Sequence, residues 1–268
     1  YDSGSLIGLA LTYLMLLPFS DWRQPLLFSS VAGFVYAALS YPIARTVFAS
    51  LSPTSNPGST PSTYARNAAF SRSFLAAMFF AFFLSMIQWS LALSWLSSYL
   101  LSELGASITV VAASITSIAL AGSAAEIVSG VMADRIGGAS GAVKLLVLGF
   151  TASAGALISV AFARSAEARL ILVLISMIAF RVAAPGIWSL ISFLVPVEEQ
   201  PRFTPVYSAA PPLAFIFTSV LGGLIAELLN TFTVNFFIAG LSSAASALLY
   251  WHSYSSYGRA SRAPRREP

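Results

Sequence analysis

The feature that most constrains the fold is a succession of eight apolar segments in the 268-residue chain. All but the first are long enough, at 1.5 Å per residue, for a helix to cross a hydrocarbon core about 30 Å thick. Only 9% of the residues are charged, against roughly 25% in ordinary soluble domains. The sequence therefore predicts an integral, multi-pass membrane protein, with segments at 4–19, 26–48, 74–101, 108–132, 143–163, 170–196, 204–229 and 231–251.

The composition of these segments favours helices over strands. In lipid, backbone polar groups must be hydrogen-bonded within the structure, which leaves helix bundles and closed barrels. Runs of small residues, such as AGSAAEIVSG (121–130) and AGLSSAASA (239–247), suit close packing of helices and lack the alternation of a barrel strand. We expect an all-α, multi-pass transmembrane helix bundle.

One polar connection divides the bundle. Residues 50–72 are rich in Ser, Pro and Thr and lack apolar periodicity, as expected of a linker. The predicted organisation is therefore 1–49 with two helices, the linker 50–72, a six-helix unit at 73–252 and a basic tail at 253–268. The chain opens on Tyr1 and its first segment is short, so we interpret it as a fragment that begins partway through a larger protein.

The basic residues predict the orientation. If the linker is cytoplasmic, ten basic residues lie on the cytoplasmic side and three on the opposite side, a strong positive-inside bias. The linker and the C-terminus are then both cytoplasmic. The ten are Arg45, Arg66, Arg72, Arg135, Lys144, Arg202, Arg259, Arg262, Arg265 and Arg266, and the three are Arg23, Arg164 and Arg169.

The stretch GVMADRIGGASGAVK (130–144) has two interpretations. GASG resembles the way intramembrane serine proteases present a nucleophile, here Ser140, which needs a histidine as general base. The chain has one histidine, His252, beside Trp251 at the end of the last segment, a position typical of an interfacial aromatic belt. The alternative, a turn between two membrane helices, requires no nucleophile and is preferred.

The turn interpretation rests on G-x-x-x-D-R-x-G, formed by Gly130, Asp134, Arg135 and Gly137. Six spans after a long linker, with this motif between the second and third, resemble the C-terminal half of a major facilitator superfamily transporter. The resemblance implies that the chain holds about eight of twelve helices and works as a monomer, as a secondary transporter and not as an enzyme. It also implies that Asp134 helps to latch the two halves together, while Gly137, Gly138 and Gly141 would let the chain reverse.

A finer resemblance concerns residues 93–107, LSWLSSYLLSELGAS. They are similar to the W-x-P-x-Y-x-x-x-x-L-G end of the seventh helix in the anion:cation symporter family, which includes sialin-like, vesicular glutamate and plant plastid phosphate transporters. Ser97 stands where that family has proline. The resemblance implies transport of a small organic or inorganic anion, coupled to H+ or Na+.

Charged residues inside the spans are the main site candidates, since an ionisable group at membrane depth is costly and marks function by default. Arg181 lies near the middle of one span and Glu126 lies in another. We expect Arg181 to bind the anionic part of a substrate and Glu126 to serve as its counter-ion or as a proton-coupling carboxylate. A structural ion pair is the alternative.

Further candidates lie in the 74–101 span. Gln88, Trp95 and Tyr99 share a face by their i, i+7 and i+11 spacing, which predicts a cavity lining. Pro185-Gly186 and Pro211-Pro212 predict interruptions or kinks, which transporters place beside substrates and at gating bends.

Other classes lack support in the sequence. There is no cysteine, no metal-ligand cluster and no nucleotide-binding motif, so we expect no metal, no cofactor and no nucleic-acid partner. The expected partners are the lipid bilayer and a small-molecule substrate. The rivals to a transporter are the serine protease and a transporter-like protein that only senses.

Overall fold

The computed structural model describes residues 72–262 except 196 and 198, together with five helical residues at positions 31, 34, 35, 38 and 42. The predicted segment 4–19, the rest of segment 26–48 and the linker up to residue 71 lie outside the described residues. Everything below concerns the second of two units into which the chain divides, Tyr64–Pro268.

All regular structure within residues 72–262 is helical. Helix α1 spans Arg72–Ser98 and continues as a π-helical turn over Tyr99–Glu103. The others are α2 (Ile108–Gly137), α3 (Ala139–Val160), α4 (Ala166–Leu194), α5 (Gln200–Ser208), α6 (Ala210–Leu229) and α7 (Thr233–Arg262). Six stretches are long and apolar enough to cross a membrane, the fifth made of α5 and α6 together. The prediction of an all-α transmembrane bundle is confirmed.

The helix boundaries follow local signals where short connections join the spans. Ser107 and Ser165 precede α2 and α4, and their hydroxyls accept hydrogen bonds from the amides of Val110 (3.3 Å) and Ala168 (3.1 Å). Such N-caps satisfy amides that have no partner inside the helix. At the end of α6, Asn230 adopts a left-handed conformation with φ 51°, which ends the helix.

The two predicted interruptions, Pro185-Gly186 and Pro211-Pro212, have different effects on their helices. Pro185 lies inside α4, which continues without interruption over Ala166–Leu194. Pro211 lies in the first turn of α6, and the break between α5 and α6 falls at Ala209. Proline fits the first turn of a helix because the amide it lacks would be unpaired there anyway. The second pair therefore starts a helix, and the first pair leaves its helix intact.

The helices pack in an order that places α3 centrally. It packs against α4 and α7, while α1 packs against α6 and α7, and α2 packs against α4. Glycine permits the closest approach: a Cβ on Gly149 would lie 2.6 Å from the carbonyl oxygen of Ala179, and one on Gly186 would lie 2.9 Å from that of Ala142. Small residues thus bring α3 and α4 together, as the sequence predicted for helices that associate in lipid.

Candidate functional site

Arg181 lies at the centre of α4 and is completely buried. Its Nη2 atom forms an ion pair with Oε2 of Glu126 on α2. The Glu126 side chain keeps 23% of its surface exposed. The two charges predicted inside the membrane therefore meet, with the cation enclosed by the six-helix unit and the carboxylate at its boundary.

Gly122 makes this arrangement possible. It precedes Glu126 by one helical turn, so both lie on the same face of α2. A Cβ on Gly122 would lie 2.8 Å from Cγ of Arg181. The absence of a side chain at Gly122 therefore gives the aliphatic part of Arg181 a place against α2, while Glu126 pairs with its charged end. Sequence reasoning missed Gly122, although its one-turn spacing from the only acidic residue of the 108–132 segment was a usable signal.

Aromatic rings cover another side of the guanidinium. Cζ of Arg181 lies 5.6 Å from the centroid of the Trp89 ring, within the distance at which the ring face attracts a cation. Trp89 in turn stacks on Phe180, with centroids 5.1 Å apart and an interplanar angle of 11°. Trp89 was not predicted as a site residue, because a tryptophan in an apolar helix is common and only the fold brings it to Arg181.

The chemistry of this cluster is that of a charge pair. A buried guanidinium is costly to desolvate and needs a charged partner. The Glu126 carboxylate at the boundary of the unit is such a partner, and a second anion presented to Arg181 would compete with it.

Gln88 lies elsewhere, in a buried polar network that joins four helices. Its amide nitrogen donates to the hydroxyls of Ser153 on α3 and Ser176 on α4, the latter at 3.3 Å. Its amide oxygen accepts from the hydroxyl of Ser243 on α7 at 2.8 Å. All four side chains are completely buried. The structure thus places Gln88 inside the bundle, and its predicted role in a cavity stays a prediction.

Trp95 and Tyr99 also pack against other helices. Nε1 of Trp95 donates to the carbonyl of Thr218 on α6 at 3.2 Å, and Tyr99 is buried against Phe236 of α7 with ring centroids 4.5 Å apart. The π-helical turn starts at Tyr99 and changes the helix period beyond it. Gln88, Trp95 and Tyr99 therefore contact different neighbours and do not converge on one point. Their contacts with a substrate stay predictions.

Glu103 forms a contact centre that sequence reasoning missed. Its carboxylate, at the end of the π-helical turn, accepts from the amide of Phe232 (2.6 Å) and the hydroxyls of Thr231 (3.0 Å) and Thr233. Arg169 of α4 approaches it at 3.5 Å. An anion suits this position because α7 begins here and a helix N-terminus favours negative charge. Glu103 therefore fastens the ends of three spans together.

Replacing Glu103 by Ala is expected to lower the free energy of unfolding by about 1 kcal/mol, the usual cost of losing a helix-capping side chain. The midpoint of thermal unfolding in detergent should fall by roughly 2–4 °C. Glu227→Ala is the matched control, because this exposed carboxylate lies at the same end of the bundle, near the end of α6. An equal fall in both variants would contradict the assigned role of Glu103.

The G-x-x-x-D-R-x-G motif occupies the end of α2 and the turn into α3. Helix α2 runs past its predicted end and stops at Gly137, so Asp134 and Arg135 lie in its last turn. The chain reverses at Gly137 (φ 121°) and Gly138 (φ 56°), conformations that glycine adopts without strain. The turn lies between the second and third of the six spans.

One detail of the motif differs from expectation. Gly141 has no left-handed backbone and takes no part in the reversal. Its role is close packing, because a Cβ there would lie 2.2 Å from the carbonyl oxygen of Ala133. Asp134 is exposed and, among residues 72–262, forms no salt bridge with Arg135 or Lys144. Among the described residues, no atom lies within 4 Å of a Cβ built on Gly130. The predicted latch, which requires the other half, stays a prediction.

The serine of the rival interpretation lies in the first turn of α3. Ser140 is half-buried there, and His252 is exposed on α7. Within the part of the chain that the structure describes, no hydrogen bond joins these two side chains. The nucleophile and base that a serine protease requires are therefore not paired.

Comparison with known families agrees with this architecture. The family model described as Major Facilitator Superfamily matches residues 78–267, more than half of the chain. This range contains the turn motif, the Arg181–Glu126 pair and most of the six spans. A comparison with curated proteins gives no match.

Proposed function

The chain belongs to the major facilitator superfamily, and from that premise we propose that this membrane transporter carries a small anionic solute by alternating access. In such a protein the site opens to each side of the membrane in turn. Arg181 binds the anionic group of the substrate, and Glu126 is the counter-ion that the substrate displaces. The linker and the C-terminus lie in the cytoplasm.

The observation that supports this proposal is the buried ion pair of Arg181 and Glu126. A fully buried cation in a membrane helix is expensive, and stability alone rarely favours such a pair over apolar residues. The resemblance of residues 93–107 to the anion:cation symporter family points to the same substrate class. We propose proton coupling, because the carboxylate of Glu126 is the group of the pair that can bind and release a proton.

The basic residues support the orientation. Among the described side chains, the end of the bundle that carries the α2–α3 turn has the basic residues Arg135, Lys144 and Arg202, whereas the other end has Arg164 and Arg169. Positive residues concentrate on the cytoplasmic side of membrane proteins. Asp134 is then available at the cytoplasmic surface for the latch between the two halves.

Counterflow in proteoliposomes tests the proposed function. Vesicles loaded with one unlabelled anion are diluted into a trace of the same labelled anion, across a panel of organic and inorganic anions. We expect transient accumulation of label for at least one anion and none in protein-free vesicles. Counterflow of neutral or cationic solutes alone would contradict the substrate class. Absence of counterflow for every solute, with correctly inserted protein, would favour a sensor.

A further inference from the structure

An open groove lies between the outer faces of α3 and α7, away from the Arg181–Glu126 pair. Its volume is about 410 Å³, within the usual range of ligand sites of roughly 300–1,000 Å³. Two of its walls are large exposed apolar side chains, Leu248 (70%) and Trp251 (48%). The lining is Val147, Thr151, Ala244, Ala247, Leu248 and Trp251.

The register of the two helices gives the depth of the groove. Ser243 of α7 donates to the carbonyl of Phe150 on α3 at 3.2 Å, and a Cβ on Gly240 would lie 3.2 Å from the carbonyl oxygen of Ala154. The helices are therefore antiparallel, and each step along α3 corresponds to a similar step back along α7. By this register, Trp251 lies level with Lys144 at one end of the groove. Thr151 lies deeper in the bundle.

Lys144 carries a positive charge at the shallow end of the groove. It is exposed and shares a face of α3 with Val147 and Thr151, by i+3 and i+7 spacing. Side chains on a helix lean towards its N-terminus, which for α3 is the α2–α3 turn. Among the residues described in full, no salt bridge occupies the Lys144 ammonium. A tryptophan and a lysine at the same level are typical of a headgroup boundary.

We infer that the groove binds one anionic phospholipid, with an acyl chain along the apolar wall and the headgroup phosphate on Lys144. The chain is a membrane protein, so the occupant that reaches this face comes from the bilayer. Among the side chains described at this end of the bundle, the basic Arg135, Lys144 and Arg202 outnumber the acidic Asp134 and Glu199, and the Lys144 ammonium favours an anionic headgroup. Basic pockets between membrane helices on the cytoplasmic side bind such headgroups.

Native mass spectrometry of the purified protein tests this inference. Palmitoyl-oleoyl phosphatidylglycerol and the phosphatidylcholine with the same chains are titrated separately after delipidation. We expect the anionic lipid to bind more tightly, and Lys144→Gln to reduce its affinity about fivefold, the effect of one basic residue near a membrane surface. Ala244→Phe, which fills the groove, should remove the bound lipid of both types.

Two controls keep the outcomes distinct. Arg202→Gln removes a charge that is 84% exposed at the same end of the bundle but off the groove, and it should leave the lipid preference unchanged. Ala124→Phe adds the same bulk at an exposed site on α2, and it should leave both lipids bound. An unchanged preference in Lys144→Gln overturns the inference. So does a dimer that Ala244→Phe converts to monomers, because a second copy would then be the occupant.

Discussion

The double substitution Arg181→Met with Glu126→Gln is expected to leave a folded, correctly inserted protein that no longer transports its anion. Met matches the length of the Arg181 stem, and both replacements are neutral, so no buried charge is left without its partner. Uptake at low substrate concentration should fall about 10- to 100-fold, since a hydrogen bond to a charged group contributes about 1.5–3 kcal/mol. Surface expression and thermal unfolding establish folding, and initial uptake rates establish the loss.

The matched control is a second arginine–glutamate pair, which lies at the surface. Arg202 and Glu199 approach to 3.7 Å at the surface, with Arg202 84% exposed. Exposed pairs of this kind contribute little to stability. Arg202→Met with Glu199→Gln should therefore transport normally. Normal uptake by the Arg181→Met, Glu126→Gln protein would remove the proposed role of both residues.

The single substitution Glu126→Gln separates the proposed substrate-binding role of Arg181 from the proposed proton-coupling role of Glu126. Arg181 keeps its charge, so the anion should still exchange in counterflow. Without a titratable carboxylate, a proton gradient should no longer drive accumulation against a concentration gradient. If the Glu126→Gln protein still accumulates the anion, and does so only when sodium is present, the coupling ion is Na+. That result would contradict the role given to Glu126.

The spans could be predicted because apolar length alone decides which segments cross a membrane. The prediction at 74–101 corresponds to Ser73–Glu103, and that at 204–229 to Gln200–Leu229. The errors lie at charged ends. Asp134 and Arg135 ended the apolar run at 132, yet the backbone hydrogen bonds of α2 continue to Gly137. Helix α7 likewise continues to Arg262, past the predicted end at 251.

Contacts between helices were harder to predict because they depend on the rotation of each helix. The rarity of charges in the spans identified Arg181 and Glu126 as candidates, and the ion pair brings them together. Nothing in the sequence indicated that Glu103 would reach the start of α7. The π-helical turn at Tyr99 is equally hidden, since it changes the helix period without a distinctive residue. Gln88 was found by its polarity, but its serine partners look like ordinary small residues.

Replacing Gln88 by Leu is expected to lower the free energy of unfolding by about 2 kcal/mol. The change removes three side-chain hydrogen bonds to Ser153, Ser176 and Ser243, each contributing about 0.6 kcal/mol or more inside a membrane protein. The midpoint of thermal unfolding should fall by roughly 4–8 °C for a unit of this size. Transport per folded molecule should be largely kept if the residue acts only in packing, and lost if it contacts the substrate.

The control for this effect is Ser159→Ala, which removes one exposed hydroxyl bond within α3, to the carbonyl of Gly155 at 2.7 Å. Its unfolding midpoint should remain near that of the unchanged protein. The serines should respond as one unit with Gln88: once Leu occupies position 88, Ser243→Ala should cost less than in the unchanged protein, because its partner is already gone. Additive losses for Gln88 and Ser243 would mean that the hydrogen bond between them contributes nothing to stability, and would contradict this part of the network.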